Sequence, residues 1–267
     1  MQTVDLADKI TMTECKKGTT VTCSDPIVPS DERNLAYKAI DLIRSNYRIT
    51  KPGIQVHIDK QIPVASGLAG GSGNAAMTIH GLNKIWSLGL SREQLMALAA
   101  KLGSDVPYCL FGGTARASGR GEKVKWLDVE NPFYFVLINP PIAVSSAWAY
   151  QHVKIDLTNP VSCVSLIVSL LYDGDFDGLI SHLHNDLESP VQSAFSAVRE
   201  ARGILADAGI TGVLMSGSGP TVFGILPDRS EAERIADLVR SRISPQWRVF
   251  SVSSISQRAI SLRCSLD

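Results

Sequence analysis

The sequence carries no net charge, no paired-cysteine motif and no long apolar run, and each absence narrows what the chain can do. Its 26 Lys and Arg balance its 26 Asp and Glu. That is not the basic footprint of a nucleic-acid binder, although a local positive pocket remains allowed. The five cysteines, Cys15, Cys23, Cys109, Cys163 and Cys264, form no C-x-x-C pair, so spacing indicates neither a zinc site nor a redox couple. They read as free thiols in a reducing compartment. No stretch approaches the ~18 consecutive apolar residues of a membrane span. Met1-Gln-Thr-Val-Asp-Leu-Ala-Asp has acids and no basic start, unlike a signal peptide. No repeat of solenoid period and no low-complexity tract occurs. A cytoplasmic protein with no membrane and no nucleic-acid partner is expected. What is present, 45% hydrophobic and 19% charged residues over 267 positions, is ordinary for a globular chain of one large or two modest domains.

The pattern of residues predicts an α+β architecture of two lobes. Ile10-Thr-Met-Thr and Thr19-Thr-Val-Thr around Lys17-Gly18 read as a hairpin. Helix signals begin at Ser30-Asp31, and Leu35, Ala36, Ala39, Ile40, Leu42 and Ile43 follow at helical spacing. Ile54, Val56 and Ile58 alternate with polar residues as a half-buried strand. A helix is expected over 75–86, and Ser91-Arg-Glu-Gln94 is a capping box opening another. Strands are expected over 114–119 and 133–138, ended by Pro140-Pro141. Beyond about Ser145, helices are expected over 146–152, 161–171, 175–183, 191–208 and 230–243. Strands are expected at 212–215, 221–226 and 247–254. The boundary is set near Pro140-Pro141, giving an N-terminal lobe over 1–140 and a C-terminal lobe over 141–267.

The densest chemical signal is Pro63-Val-Ala-Ser-Gly-Leu-Ala-Gly-Gly-Ser-Gly-Asn74. Gly67, Gly70, Gly71 and Gly73 stand between a predicted strand and a helix expected to begin near Asn74. Glycines let backbone approach a ligand closely, successive N–H groups form an anion-binding concavity, and a helix start adds its positive end. The P-loop pattern fails, because Asn74 and not Lys follows Gly73. The dinucleotide pattern G-x-G-x-x-G fails at Ala76. A glycine-rich connection without ligand is the bland alternative.

The order Pro63, three residues, Gly67-Leu68, then Ala-Gly-Gly-Ser resembles the signature of the GHMP kinases. The similarity continues through Ile58-Asp-Lys-Gln-Ile-Pro63, Leu82-Asn-Lys-Ile-Trp86, Gly103-Ser-Asp-Val-Pro107 and the run Gly112 to Glu122. It extends to Asn139-Pro140 with Ser145-Ser146 and Tyr150, to His184-Asn-Asp-Leu-Glu188, and to Met215-Ser-Gly-Ser-Gly-Pro220. Within that superfamily the chain most resembles the branch whose acceptor is the 2-hydroxyl of 4-diphosphocytidyl-2-C-methyl-D-erythritol. The resemblance implies a two-lobed kinase using ATP and Mg2+. It makes Asp105 the catalytic base, where local chemistry alone would favour a helix cap. It implies that Pro63, Val64, Ala65, Ser66, Gly67, Leu68, Ala69, Gly70, Gly71, Ser72 and Gly73 hold the ATP phosphates, with Ser72 as the magnesium contact. Asn34, Leu35, Lys60 and Val64 are implied around adenine; by themselves Asn34 and Leu35 read as a first helical turn and Lys60 as a solvated strand end. Tyr150 is implied as the aromatic stacked on cytosine, with Ser146, Ser216, Gly217, Ser218 and Gly219 on the substrate. The local reading of Ser216–Pro220 is a tight hairpin turn, and both roles are compatible.

Two departures stand out. Gly73 occupies a position where the family usually has serine. The family also begins with an Ala-Lys-Ile-Asn strand and a segment ending Asp-Gly-Tyr-His-Glu, whereas Met1-Gln-Thr-Val resembles the stretch just downstream. The lysine partner of the catalytic aspartate is therefore not expected within this chain, and an internal start is the simpler account. His182 and His184 are two apart and do not share a helix face, His57 reads as a surface residue and His80 as helix packing. A different GHMP activity of mevalonate or homoserine type, or a nucleotide-binding protein without catalysis, are the alternatives. Monomer or homodimer is open.

Overall fold

Ile54, Val56 and Ile58 alternate with polar residues, and the strand they build lies in the middle of a sheet. In the computed structural model, which describes residues 1–129, 132–153 and 164–257, β3 (Gly53–Asp59) is flanked on one side by β1 (Lys9–Cys15), antiparallel with Lys9 opposite Asp59. On its other side is β2 (Thr19–Cys23), parallel with Thr19 opposite Ile54. The expected hairpin between the first two strands is therefore corrected: both strands exist, but β3 separates them. Gly53 permits this, because a Cβ there would lie 2.5 Å from the backbone carbon of Lys17 in the crossing connection.

The chain divides into two compact units. The first comprises Met1–Val64 and Ala69–Leu127, with Ser256 and Gln257 of the described residues. Its sheet is covered by α1 (Leu35–Tyr47) and α2 (Gly70–Ile85), which pack on each other. Ala36, Ala39, Ile40 and Ile43 of α1 and Ala75, Ala76, Ile79 and Leu82 of α2 are buried against Ile54, Val56 and Ile58. Each large apolar side chain so buried stabilises by about 1.5–3 kcal/mol. α1 starts four residues later than Ser30-Asp31 suggests. Asn34 takes the cap, its Oδ1 accepting from the Ala36 N–H at 2.9 Å. α3 (Arg92–Leu102) carries the expected capping box between Ser91 and Gln94. Ser91→Ala is expected to lower unfolding free energy by about 1 kcal/mol, read by chemical denaturation. A single turn, α4 (Val106–Cys109), follows and packs against α2 and α3. The antiparallel pair β4 (Thr114–Ser118) and β5 (Lys123–Leu127) comes next. Gly113, at φ +80°, has Gln257 packed where a Cβ would stand, 2.9 Å from its backbone nitrogen.

The second unit comprises Ala65–Leu68 and the described part of Asp128–Ile255. Its all-antiparallel sheet runs β7 (Gly212–Met215), β8 (Val222–Leu226), β6 (Tyr134–Asn139), β9 (Arg248–Ser253). β6 is central, and so the expected boundary after it at Pro140-Pro141 cuts a strand away from its own sheet. α9 (Ser196–Asp207) and α10 (Arg229–Arg240) pack on this sheet through Val198, Ala201 and Leu205 and through Ala232, Ile235, Ala236 and Val239. The single helix expected over 191–208 is two, α8 (Glu188–Ala194) and α9. They break at Phe195, whose backbone is extended and whose ring sits edge-on to Trp148 at 5.1 Å. The remaining helices are α5 (Ser146–His152), α6 (Val164–Asp173) and α7 (Phe176–Ser181). The start of the helix expected from 161 lies outside the described residues.

Candidate active site

Glycine is the poorest ordinary helix former, yet α2 begins at Gly70, four residues before the expected start near Asn74. Ala69 is left-handed at φ 53°, and the first helical bond runs from the Gly73 N–H to the Ala69 carbonyl at 2.9 Å. The amides of Gly70, Gly71 and Ser72 thus precede the helical ladder and are donors without intrahelical partners. The helix dipole adds positive potential there. Three glycines in the opening turns weaken the helix by roughly 1 kcal/mol each relative to alanine, so their smallness needs a reason. At Gly70 it is internal, since a Cβ would lie 3.1 Å from both Ile62 Cγ2 and Lys60 Nζ. At Gly71 only Leu35 comes near, at 3.7 Å, and at Gly73 nothing lies within 4 Å. Those two positions therefore leave room beside the first turns of α2. Among the described residues the Ser72 hydroxyl has no hydrogen-bond partner, so it is free to meet such a group. Gly73→Ser finds room and is expected to raise stability by about 0.5 kcal/mol without raising KM for ATP, checked by thermal melts and steady-state kinetics.

Upstream, the segment Ala65–Leu68 belongs to the second unit, where it meets the other glycine turn. The Ser216 hydroxyl donates to the Gly67 carbonyl at 3.0 Å, and the Thr221 N–H to the Ser66 carbonyl at 3.2 Å. Gly67 has φ +75°, and a Cβ on it would stand 2.2 Å from the Ser216 carbonyl oxygen. Ser216–Thr221 connects the antiparallel strands β7 and β8, as the hairpin reading expects. Asn185 fastens this turn by donating to the carbonyls of Met215 and Gly217, both at 2.8 Å. Glu188 accepts from the Met215 N–H at 2.9 Å. Both residues lie in the quoted His184–Glu188 motif, but no role could be read from it because their partners are about 30 positions away. Ser146 and Ser218 share a hydroxyl hydrogen bond of 2.8 Å. Tyr150, one helical turn on, is 66% exposed, so its ring is not part of the core and offers an open face.

Asp105 occupies the cap position of α4, but its side chain makes no capping bond. The cap interpretation therefore has no support in the geometry. Among the described residues the carboxylate has no hydrogen-bond or ion-pair partner. One side of it is open to water. Burial of the remainder still raises its pKa above the ordinary carboxylate value. The neighbouring Cys109 thiol is pushed up to about 12, chiefly by burial and further by the Asp105 charge. Gly121, at φ +115°, brings the β4–β5 turn to 3.7 Å from Asp105 Oδ1, measured from where a Cβ would stand. Tyr108 anchors the far end of α4, its hydroxyl 2.7 Å from the Gly113 carbonyl and 2.8 Å from Thr3 Oγ1.

Lys60 is not a solvated strand end. Its side chain is 5% exposed and paired at 2.8 Å with Asp8, itself 2% exposed. Removing one partner of such a buried pair typically costs about 3–5 kcal/mol, because the other charge is left without compensation. Asn34 is equally committed, its amide donating to the Pro29 carbonyl at 2.8 Å while its oxygen caps α1. His182 and His184 are held locally, His182 by the Gly178 carbonyl at 2.8 Å and His184 by Asp186 at 2.8 Å. His57 is exposed beside Thr22, and His80 packs edge-on against Phe111. Among the described residues no helix is long and apolar enough to cross a membrane.

Residues 34–113 match the GHMP kinases N terminal domain, and residues 167–244 the GHMP kinases C terminal. The chain is 42% identical over 241 residues to a 4-diphosphocytidyl-2-C-methyl-D-erythritol kinase of Brevibacillus brevis, covering 90% of this chain and 82% of that one. A crystal structure of 4-(cytidine 5'-diphospho)-2C-methyl-D-erythritol kinase superposes with TM-score 0.77 at 30% identity, over 94% of this chain and 87% of the other. A homoserine kinase from Cytophaga hutchinsonii shares the fold, with TM-score 0.81 at 22% identity over 97% and 89% of the two chains. The chain belongs to the GHMP kinases, and within them to the 4-diphosphocytidyl-2-C-methyl-D-erythritol kinase family.

Proposed function

We propose that the protein transfers the γ-phosphoryl group of ATP to the 2-hydroxyl of 4-diphosphocytidyl-2-C-methyl-D-erythritol, a step toward isoprenoid precursors by the non-mevalonate route. The hydroxyl oxygen forms a bond to the γ-phosphorus, the bond from that phosphorus to the β–γ bridging oxygen breaks, and ADP leaves. The hydroxyl proton passes to the Asp105 carboxylate. The observation that carries this reading lies in the first unit. A helix headed by open glycines packs on a one-turn helix whose leading carboxylate caps nothing.

The backbone N–H groups of Gly70, Gly71 and Ser72 bind phosphate oxygens, as helix starts do generally. Leu35 and Val64 supply apolar contact for adenine, and the Asn34 cap fixes where Leu35 sits. Mg2+, when bound with the nucleotide, neutralises phosphate charge, and the Ser72 hydroxyl is the side chain offered to it. The Tyr150 ring stacks on cytosine, with Ser146 and the Ser216–Gly219 turn around the rest of the acceptor. The cytoplasm, where ATP is abundant, is the proposed compartment. ADP release measured with this acceptor, mevalonate and homoserine tests the reading. Turnover is expected with the cytidine-bearing acceptor, and a preference for either of the others overturns the assignment.

A further inference from the structure

Asp8 lies ahead of β1, far in sequence from the glycine segment, yet its carboxylate ends at the approach to α2. Oδ1 accepts from the Gln61 and Ile62 N–H groups, both at 2.8 Å, and Oδ2 accepts from Lys60 Nζ at 2.8 Å. The Lys60 ammonium also donates to the Ile62 carbonyl. An ammonium has three donors, and among the described residues the third has no acceptor. Nζ stands 3.1 Å from where a Cβ on Gly70 would be, beside the first turn of α2. Burial of such a pair is weak evidence for stability, since apolar replacements of both partners are commonly as stable. Its placement therefore calls for another reason.

We propose that Asp8 is a positioning residue for nucleotide binding. It holds Lys60 so that the remaining ammonium N–H meets an acceptor atom of ATP, a ring nitrogen or a phosphate oxygen, at the first turn of α2. This rests on the reading of α2 as the nucleotide site.

The test is calorimetric titration of wild type, Asp8→Asn, Lys60→Met and the double variant with a non-hydrolysable ATP analogue and, separately, with tripolyphosphate. Asp8→Asn is expected to weaken the analogue by about tenfold or more, the usual worth of one charge-assisted hydrogen bond. KM for ATP should rise in step, with kcat within about twofold. The double variant should be no weaker than Lys60→Met alone, because Asp8 acts through Lys60. Tripolyphosphate weakened in parallel identifies a phosphate contact; tripolyphosphate unaffected identifies the base. If Asp8→Asn alone does not fold, the double variant, with no unpaired buried charge, carries the test. Its wild-type affinity would overturn the proposal, as would a folded Asp8→Asn with lowered melting temperature and unchanged affinity. Failure of the wild type to bind the analogue at all sinks the nucleotide reading itself, and the proposal with it.

Discussion

Asp105→Asn is expected to lower kcat by about 10²–10⁴-fold, the usual contribution of a positioned general base, while the ATP dissociation constant stays within about threefold. The substitution is nearly isosteric and removes no capping bond, because Asp105 makes none. It should therefore leave the fold intact, which a thermal melt checks. The pH profile adds a second readout. A base must be ionised to accept the proton, and burial raises the pKa of this carboxyl above the ordinary value. Activity should accordingly rise with pH through a limb displaced upward from that of a free aspartate, and the limb should vanish in Asp105→Asn. A variant as fast as wild type, or an unchanged limb, removes Asp105 from the chemistry. If neither protein transfers phosphoryl groups while both bind ATP, a nucleotide-binding protein without catalysis is the better description.

Gly67→Ala is expected to be strongly destabilising. The residue has φ +75°, a region costing a side chain about 1–2 kcal/mol, and the new Cβ would stand 2.2 Å from one backbone oxygen and 2.9 Å from another. Backbone cannot yield as a flexible side chain can, so a further ~1–3 kcal/mol of overpacking follows. The melting temperature should fall by about 5–15 °C, and activity should fall with it, since the methyl separates Ser66–Gly67 from Ser216–Gly219. Gly73→Ser, six residues on, is the control: there the added atom meets nothing. A Gly67→Ala protein that melts and turns over like wild type would mean that the two turns do not need to touch.

Features set by neighbouring residues were legible in the sequence. The Ser91 capping box lies within four residues, and the bounds of α5 and β7 follow from short uninterrupted patterns. Features set across long separations were not. The β1–β2 hairpin fails because the better partner for both strands lies about 30 to 50 residues downstream. α2 starts earlier than its sequence suggests because three glycines argue against helix locally, while helix geometry itself supplies the N–H groups that a phosphate needs. Lys60 read as solvated because nothing near it in sequence signals Asp8, 52 positions away. In the candidate site, residue identities came from the motif order. Which of them are already occupied, Asn34 in a cap and Lys60 in a buried pair, needed the fold.

The return of the chain at Gln257 sets an order of events during synthesis. Gly113 has that residue packed where a side chain would be, and the whole of Asp128–Ile255 is made between the two. Gln257 follows β9 by four positions, so the contact at Gly113 can form only after β9 has been made. The sheet around β3 can form early, but the position beside Gly113 stays unfilled until Gln257 has been made. The first unit thus gains this contact only after Asp128–Ile255 of the second has been synthesised.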